Sequence, residues 1–411
     1  MDEIKITLAP EKKVNGAVLK VIGVGGAGGN AVNRMIEQDL RGVDFIAVNT
    51  DIQDLAEIRK PATTLQIGEK ITKGLGAGSN PAIGEQAAIE DTDAVMDLLE
   101  GAHMVFITAG MGGGTGTGAS HVIANHASSL GILTVAVVTK PFQFERERRM
   151  KVAEEGIEKL KEAVDAIIVI PNQRLLDLGI PDLTLQNAYH KADEILHQAV
   201  RGISDMINTK GAQNVDFADV RTTMSGKGIT LMGSGEAAGE NRAEEAARKA
   251  LNSPLLDNVS IAGATGILYN ITAASNLTLN EVSQVSDMIT QNADPDATIK
   301  FGVVCEEAMK DVLRVTVIAT GFRPAAGMPA AKARAVTPAN PPPAPTRRPT
   351  EPIEAFAAPS PAGGSADLIR YINDKSFPSL THSQENEAED PWDIPSFRRP
   401  KISSLFHKDK K

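Results

Sequence analysis

Two glycine-rich stretches of the sequence have the composition of phosphate-binding turns. The first, Gly23-x-Gly25-x-x-Gly28 in "VIGVGGAGGN", directly follows an apolar run. The second, "GMGGGTGTG" at residues 110–118, lies between the apolar run "MVFITA" and a helical segment. Glycines let the backbone curve so that several N–H groups face one anion, and a helix N-terminus adds partial positive charge. Because no Gly-Lys-Ser/Thr follows, the second stretch is not a Walker loop.

The first stretch by itself also suits an NAD-binding turn. Its spacing is the dinucleotide fingerprint, and Asp51 at the end of "FIAVNTD" lies about where a ribose-binding carboxylate would be. An NAD enzyme needs one such turn in each Rossmann unit, whereas two turns at neighbouring strand ends suit a longer phosphate chain. The two stretches together predict a nucleoside triphosphate site, and an NAD-dependent oxidoreductase is the alternative.

Apolar strands that alternate with amphipathic helices position these turns. Five Val/Ile-rich runs occur before residue 172: "VLKVIGVG", "VDFIAVNTD", "MVFITAG", "ILTVAVVT" and "AIIVIP". Continuous apolar runs are typical of strands buried on both faces, which predicts a mostly parallel sheet of Rossmann type. Such sheets bind ligands at the carboxyl ends of their strands, where both glycine stretches lie.

Charge and cysteine content narrow the class of protein. The 411-residue chain has a formal net charge of −10, which disfavours a general nucleic-acid binder. Its one cysteine, Cys305, excludes an intramolecular disulfide, and its apolar flanks predict a packing role at the end of a buried strand. No signal peptide and no run of about 18 apolar residues is present, so we expect a soluble cytoplasmic protein without direct membrane insertion.

From about Val18 to Phe322 the sequence resembles the FtsZ family, the bacterial cell-division GTPases related to tubulin. The stretch "GGGTGTG" is the tubulin-signature motif of that family, and the resemblance resumes at "DIPSF" in the tail. It implies a tubulin-like GTPase that polymerises head to tail into the filaments of a division ring at midcell. It also implies hydrolysis of GTP to GDP and phosphate at the interface between subunits, with Mg²⁺ as a cofactor.

The resemblance implies six segments. They are a flexible segment at 1–16, a GTP-binding domain at 17–182, a connecting helix at 183–206, a C-terminal α/β domain with the catalytic loop at 207–322, a disordered Pro-rich linker at 323–388 and a partner-binding tail at 389–411. The helical spacing of four apolar residues, Leu185, Ala188, Ala192 and Ile195, independently predicts a helix in the segment 183–206.

The resemblance also assigns nucleotide-binding residues. The phosphates fall to Gly26, Ala27, Gly28, Gly29 and Asn30 of the first turn and to Gly112, Gly113, Gly114, Thr115 and Gly116 of the second. Glu145 and Arg149 would contact the ribose and phosphate side of the nucleotide. Judged from the residues alone, they are equally typical of a charged helix start with solvated side chains. The base falls to Tyr189 and Asp193. A carboxylate accepts hydrogen bonds from N1–H and N2–H₂ of guanine, and adenine offers neither donor there.

The catalytic residues implied are Asn214, Asp216 and Asp219 in "NVDFADV", inserted into the nucleotide site of the next subunit to polarise the attacking water. Carboxylates beside a triphosphate would be repelled without a cation, so we do not expect them in the binding pocket of their own subunit, and it is the resemblance that implies the neighbour's site. Two acids favoured by the dipole at a helix start are the structural alternative. No dedicated protein ligand for a metal stands out. Ser120-His121 departs from the family's pattern, and we expect His121 to be a surface or capping residue.

The basic, aromatic tail predicts a docking peptide. From Asp390 onward it contains Trp392, Ile394 and Phe397 and six basic against three acidic residues. Such a segment on a flexible linker suits recruitment of membrane-tethering and regulatory division proteins through residues 390–400. A solvated tail with an incidental tryptophan is the alternative. For the whole chain, a nucleotide-binding scaffold paralogue without turnover is a further alternative to the GTPase.

Overall fold

A ten-stranded sheet organises the described part of the chain. The computed structural model describes residues 16–178, 184–209, 211, 213–226, 228–253 and 261–322. The strand order in the sheet is β3-β2-β1-β4-β5-β6-β7-β10-β8-β9. The strands are β1 Leu19–Val24, β2 Val43–Asn49, β3 Thr63–Gln66, β4 Met104–Gly110, β5 Leu133–Lys140, β6 Ala166–Pro171, β7 Gly228–Ala238, β8 Gly266–Ala273, β9 Thr298–Cys305 and β10 Val312–Thr320.

Helices cover both faces of the sheet. They are α1 Gly25–Glu37, α2 Ile52–Ala56, α3 Glu69–Thr72, α4 Pro81–Glu90, α5 Thr92–Leu99, α6 Thr115–Ser129, α7 Glu147–Ala163, α8 Leu185–Asn208, α9 Phe217–Met224, α10 Arg242–Leu251 and α11 Leu279–Gln291. None of these helices combines the length and the apolar character needed to cross a membrane.

The strands β1 to β6 are parallel. All of them except the short edge strand β3 are largely buried on both faces, which explains their apolar sequences. Successive side chains of a strand point to opposite faces. In β4, Met104 and Phe106 pack in one core cluster with residues of α1 and α8. Val105 and Ile107 pack in a second cluster with residues of α4 to α7. The predicted Rossmann-type sheet is confirmed.

The sheet continues through the C-terminal half instead of ending at β6. Ala166 of β6 lies opposite Gly228 of β7 in parallel register, and this pairing joins the two halves. Strand β10 inserts between β7 and β8 and is antiparallel to both. A third core cluster forms here with residues of α10 and α11. The predicted second α/β unit is therefore present, and it shares one sheet with the first.

Helix α8 lies between the two halves. Thr184 caps its N-terminus by accepting the Asn187 N–H over 3.2 Å. Ala188 and Ile203 lie in the core cluster beside β4. On the other side the Arg201 guanidinium binds both carboxylate oxygens of Glu306, at 2.9 and 2.7 Å. At about 1.5 Å per residue, its 24 residues give a rod of roughly 36 Å.

Two expectations for single residues were wrong. Cys305 is exposed, because it is the last residue of β9 at the edge of the sheet. His121 is buried, with Nε2 3.6 Å from a carboxylate oxygen of Glu85, because α4 packs over α6. Leu185 begins the predicted helix α8, but it is 59% exposed and does not share the buried stripe of that helix.

Candidate active site

The first glycine turn joins β1 to α1 and contacts the second turn. Helix α1 begins at Gly25, whose φ of +72° is a conformation that glycine adopts without strain. A Cβ atom on Gly25 would lie 2.9 Å from the Gly116 nitrogen, so the two turns touch. β1 and β4 are neighbours, with Val24 opposite Ala109. The structure therefore brings both predicted phosphate turns together at the carboxyl ends of adjacent parallel strands.

The second glycine turn leads into α6. Gly112 has a φ of +98°, and its N–H donates to the Thr117 hydroxyl over 2.9 Å. The Thr115 hydroxyl shares a 2.6 Å hydrogen bond with the hydroxyl of Thr50, which follows β2. A Cβ atom on Gly113 would meet nothing within 4 Å, so this face of the turn is open. The first N–H groups of a helix lack intrahelical partners and can donate to an anion placed here.

Ala27 fits within the first turn although it carries a side chain between glycines. Its φ is negative, as a residue with a side chain requires. A Cβ atom on Gly110 would lie 2.7 Å from the Ala27 Cβ, which places the Ala27 methyl against the end of β4. At Gly28, by contrast, a Cβ atom would lie 2.5 Å from the Thr108 carbonyl oxygen. Only glycine allows α1 to approach the sheet this closely.

Glu145 and Arg149 form an ion pair beside the second turn. Arg149 Nη1 is 2.8 Å from Glu145 Oε2, and Glu145 Oε1 accepts the Phe142 N–H over 2.9 Å. A Cβ atom on Gly112 would lie 2.8 Å from Arg149 Cγ, so the arginine is in contact with the turn. The Glu145 carboxylate is therefore held by groups of its own segment. Its ion-pair partner, Arg149, brings a positive charge to the second glycine turn.

A cleft opens between α1 and the first half of α8. It has a volume of about 470 Å³, and its lining includes Asn30, Tyr189 and Asp193. A cavity of about 120 Å³ over the first turn shares Asn30 with it, so the two spaces are adjacent. The Tyr189 side chain packs edge-on against Phe142, with ring centroids 5.3 Å apart, and the residue is 39% exposed. Tyr189 therefore has surface left on which a base can stack.

Burial controls the charge of Asp193. It raises the pKa of Asp193 to about 7, and the positive charge of Arg34 acts in the opposite direction. Burial also raises the pKa of Tyr189, and the Glu145 carboxylate adds to that shift. Near neutral pH the Asp193 carboxyl is therefore part protonated and part charged. Two N–H donors of a ligand would favour the charged form.

Asn49, the last residue of β2, and Asp54 of α2 lie at the cavity over the first turn, and the sequence analysis did not select them. It considered Asp51, which lies between them, only as the ribose-binding carboxylate of the NAD alternative. Asn49 Nδ2 donates to Asp54 Oδ2 over 2.9 Å, and both residues line the cavity. Asp51 accepts the Gln53 N–H over 2.9 Å and caps α2. The signal was present in the sequence, because polar residues follow an apolar strand at the carboxyl edge of the sheet.

Asn172 is a second residue that the sequence analysis missed. It follows β6 directly and is buried. Its Oδ1 atom has no hydrogen-bond partner in the described part of the chain, although a buried carbonyl oxygen normally has one. Its position at the carboxyl end of a parallel strand is the same signal that marks the two glycine turns.

The predicted catalytic residues lie together at the end of the loop that joins α8 to α9 and in the first turn of α9. The Asn214 side chain accepts a main-chain N–H of the same loop over 2.7 Å. Asp216 is exposed and is the N-cap of α9, where it accepts a main-chain N–H over 3.3 Å. Asp219 lies in the first turn of α9, and its Oδ1 is 2.9 Å from Lys300 Nζ. We name these three residues the acidic loop. Both acids also stabilise the start of α9, as the structural alternative required.

The acidic loop is far from the glycine turns. Residues near it contact the segments that precede β2, β4 and β5. Asn208 donates to the Gly42 carbonyl over 2.6 Å, and Arg221 donates to the Gly131 carbonyl over 2.7 Å. The ring centroids of Phe217 and His103 are 6.1 Å apart. This is the amino edge of the parallel sheet, and the glycine turns lie at the carboxyl edge. Seven residues of strand separate the edges by roughly 20 Å.

No group of three or more His, Cys, Asp or Glu residues that could hold a metal ion occurs among the described residues.

Comparisons with known proteins agree on one family. The model of the tubulin/FtsZ family GTPase domain matches residues 18–179, and that of the FtsZ family C-terminal domain matches residues 228–323. The chain is 55% identical over 306 residues to cell division protein FtsZ of Pseudomonas aeruginosa, covering 74% of this chain and 77% of that one. It is 54% identical over 313 residues to the protein of the same name from Azotobacter vinelandii, covering 76% and 79%.

Two solved structures have the same fold as this chain. An empty FtsZ dimer from M. jannaschii has a TM-score of 0.72 and 43% identity, covering 76% of this chain and 93% of that one. The GTPγS-bound protofilament of CetZ2 from Haloferax volcanii has a TM-score of 0.64 and covers 74% and 93%. At 22% identity the second likeness supports the fold alone.

Proposed function

The chain belongs to the tubulin/FtsZ family, and we propose that its GTPase site is completed only in a filament, by the acidic loop of the next subunit. As a member of that family it is a tubulin-like GTPase that forms filaments in cell division. The family matches support neither the NAD-dependent oxidoreductase nor the scaffold without turnover. What remains to be assigned is the role of each residue.

The position of the acidic loop carries this proposal. Asp216 and Asp219 lie at the amino edge of the sheet, roughly one strand length from the glycine turns at the carboxyl edge. No side-chain rotation spans that distance within one chain. Head-to-tail stacking would place the amino edge of one subunit over the carboxyl edge of the next. A heterologous contact of this kind generates open polymers.

The two glycine turns would bind the phosphates of GTP. Residues 26–30 would contact the phosphates from the first turn, and the N–H groups at the start of α6 would donate from the second. Arg149 would add a positive charge beside Gly112. A bound Mg²⁺ ion would offset charge on the β- and γ-phosphates, and Asp54 offers carboxylate oxygens at the cavity over the first turn.

The cleft beside α8 would bind the base. Tyr189 would stack on one face of guanine, and the Asp193 carboxylate would accept hydrogen bonds from N1–H and N2–H₂. Asn172 is a further candidate for a polar contact with the nucleotide, because its buried Oδ1 lacks a partner.

Hydrolysis in this proposal relies on positioning and electrostatics. The acidic loop of one subunit would hold a water molecule in line with the γ-phosphate bound to its neighbour. The water oxygen forms the new bond to phosphorus while the bond to the β–γ bridging oxygen breaks, GDP leaves with the bridging oxygen, and the proton lost by the water ends on the released phosphate. Asp216 and Asp219 would accept hydrogen bonds from the water and so orient its lone pair toward phosphorus.

Concentration dependence tests the proposal. GTP hydrolysis per subunit should be negligible in dilute solution and should rise together with the fraction of protein that sediments as polymer. The reason is that every complete site needs two subunits. Activity per subunit that stays flat as concentration rises would show that the site is complete within one chain, and would contradict the proposal.

Partner binding would belong to the tail. Residues 390–400 lie outside the described residues, and we propose from their aromatic and basic sequence that they dock into membrane-tethering and regulatory division proteins. In cells this would bring cytoplasmic filaments to the midcell ring.

Removal of residues 389–411 should separate assembly from recruitment. The truncated chain should form filaments and hydrolyse GTP like the full chain, while fluorescent filaments in cells lose their position at midcell. A chain whose tail is replaced by a Gly/Ser segment of equal length is the control for linker length. Loss of sedimenting polymer in both chains would contradict the adaptor role of the tail.

A further inference from the structure

A lysine contacts one of the two proposed catalytic acids. Lys300 Nζ lies 2.9 Å from Asp219 Oδ1, and the two side chains are 39% and 44% exposed. Lys300 lies in the middle of β9, between Ile299 and Phe301, which pack against the C-terminal core cluster. Because side chains alternate along a strand, Lys300 points to the opposite face, toward α9.

Lys300 also has a purely structural explanation, which a test must exclude. Strand β9 is the last strand of the sheet, and charged side chains on edge strands prevent unwanted pairing with other chains. That role requires only a charge on the strand. It does not require contact with Asp219, the acid on which the proposed mechanism depends.

We propose that Lys300 is a positioning residue for hydrolysis: it holds the Asp219 carboxylate in place and carries positive charge to the phosphates of the neighbouring subunit. This inference rests on the proposed function, because Asp219 and Lys300 approach a nucleotide only if the acidic loop enters the neighbour's site.

The charge balance of the acidic loop favours this role. Asp216 and Asp219 would face a triphosphate, so like charges would oppose both assembly and the approach of water. Lys300 offsets one of these charges while leaving the second Asp219 oxygen for water. Arg221, a cation on α9 itself, donates to the Gly131 carbonyl instead and so points to the sheet edge of its own subunit.

Exchange of the lysine for an uncharged residue of similar length tests the inference. In Lys300→Met the turnover per polymerised subunit should fall roughly tenfold, the modest loss expected when one of several electrostatic contributions is removed. The Mg²⁺ concentration for half-maximal turnover should rise several-fold, because the ion must offset more charge. Lys300→Arg should restore most of both. GTP affinity of the dilute subunit should not change, because Lys300 is remote from the cleft.

A matched control removes the same charge elsewhere. Lys249 of α10 is exposed and donates to the carbonyl of Glu236, not to a carboxylate. Lys249→Met should therefore leave turnover and Mg²⁺ dependence unchanged. If Lys300→Met behaves in the same way, the inference is overturned. It is also overturned if Lys300→Met only lowers the amount of soluble polymer, as the edge-strand explanation predicts.

The inference and the proposed function fail in different ways. If Asp219→Ala retains turnover, the acidic loop is not catalytic and both are wrong. If Asp219→Ala abolishes turnover while Lys300→Met keeps the wild-type rate and Mg²⁺ dependence, only the role of Lys300 is wrong.

Discussion

Asp219→Ala is expected to leave GTP binding unchanged and to reduce turnover per polymerised subunit by ~10²-fold or more, the loss typical of removing a group that orients the attacking water. Binding should be unchanged because Asp219 lies at the amino edge of the sheet, remote from the cleft lined by Tyr189 and Asp193. GTP affinity is measured on the dilute protein, and phosphate release is measured on sedimented polymer.

The control must separate catalysis from the role of Asp219 at a helix start. Asp93 occupies the first turn of α5 as Asp219 occupies the first turn of α9, and it is exposed. Asp93→Ala removes a similar interaction with the helix dipole and should keep wild-type turnover. Reduced GTP affinity in dilute Asp219→Ala would instead place Asp219 in the pocket of its own subunit. Equal losses in both variants would favour the structural alternative.

Asp193→Asn is expected to change which nucleotide binds. The carboxamide keeps one acceptor oxygen for N1–H but presents N–H₂ to the N2–H₂ group of guanine, so GTP affinity should fall by roughly 10²-fold. Xanthine has a carbonyl oxygen at that position, which accepts from the new donor. XTP should therefore bind the variant better than GTP does. Isothermal titration with GTP, XTP and ATP measures all three.

The pKa of Asp193 adds a pH dependence that belongs to the same contact. Its pKa of about 7 means that the carboxyl binds a proton below neutral pH. Guanine requires the carboxylate, so binding must release that proton, and GTP affinity should fall by up to about tenfold for each pH unit below 7. XTP binding to Asp193→Asn should lack this dependence. Unchanged GTP affinity in the variant, or a pH profile that survives the substitution, would show that Asp193 does not bind the base.

The sequence predicted the arrangement of the glycine turns because that arrangement follows from local rules. Apolar runs predicted parallel strands, and the carboxyl ends of parallel strands lie at one edge of the sheet. Both glycine turns were therefore expected at that edge, and they touch because β1 and β4 are neighbours. The helix predicted at 183–206 is α8, Leu185–Asn208, because its apolar spacing and its cap residue Thr184 are local signals.

Other features depend on contacts between distant segments and could not be read from local patterns. The insertion of β10 between β7 and β8 is decided by pairing across about 40 to 90 residues, which no periodicity encodes. Exposure of Cys305 follows from that order, because it leaves β9 at the edge. His121 is buried because α4 packs over α6, and the amphipathic pattern of one helix does not reveal its neighbour.

The same limit applies to the candidate site. Asn49, Asp54 and Asn172 lie at or shortly after the carboxyl ends of strands, as the glycine turns do. Without a motif they could not be separated from other polar residues near strand ends. The pairing of Lys300 with Asp219 joins residues 81 positions apart in sequence and became visible only in the structure. The site roles of these residues, and of those taken from the family, stay predictions.

A mixing experiment tests the shared active site most directly. Asp219→Ala keeps an intact nucleotide cleft, and Asp193→Asn, supplied with GTP alone, keeps an intact acidic loop. Each variant alone should be nearly inactive. The two variants are then mixed in equal amounts and sedimented together. In a randomly ordered head-to-tail polymer, about a quarter of the interfaces would combine an intact cleft with an intact loop. Turnover should therefore recover to about a quarter of the wild-type rate. Co-sedimenting mixtures with no more activity than the two variants measured separately would contradict a site shared between subunits.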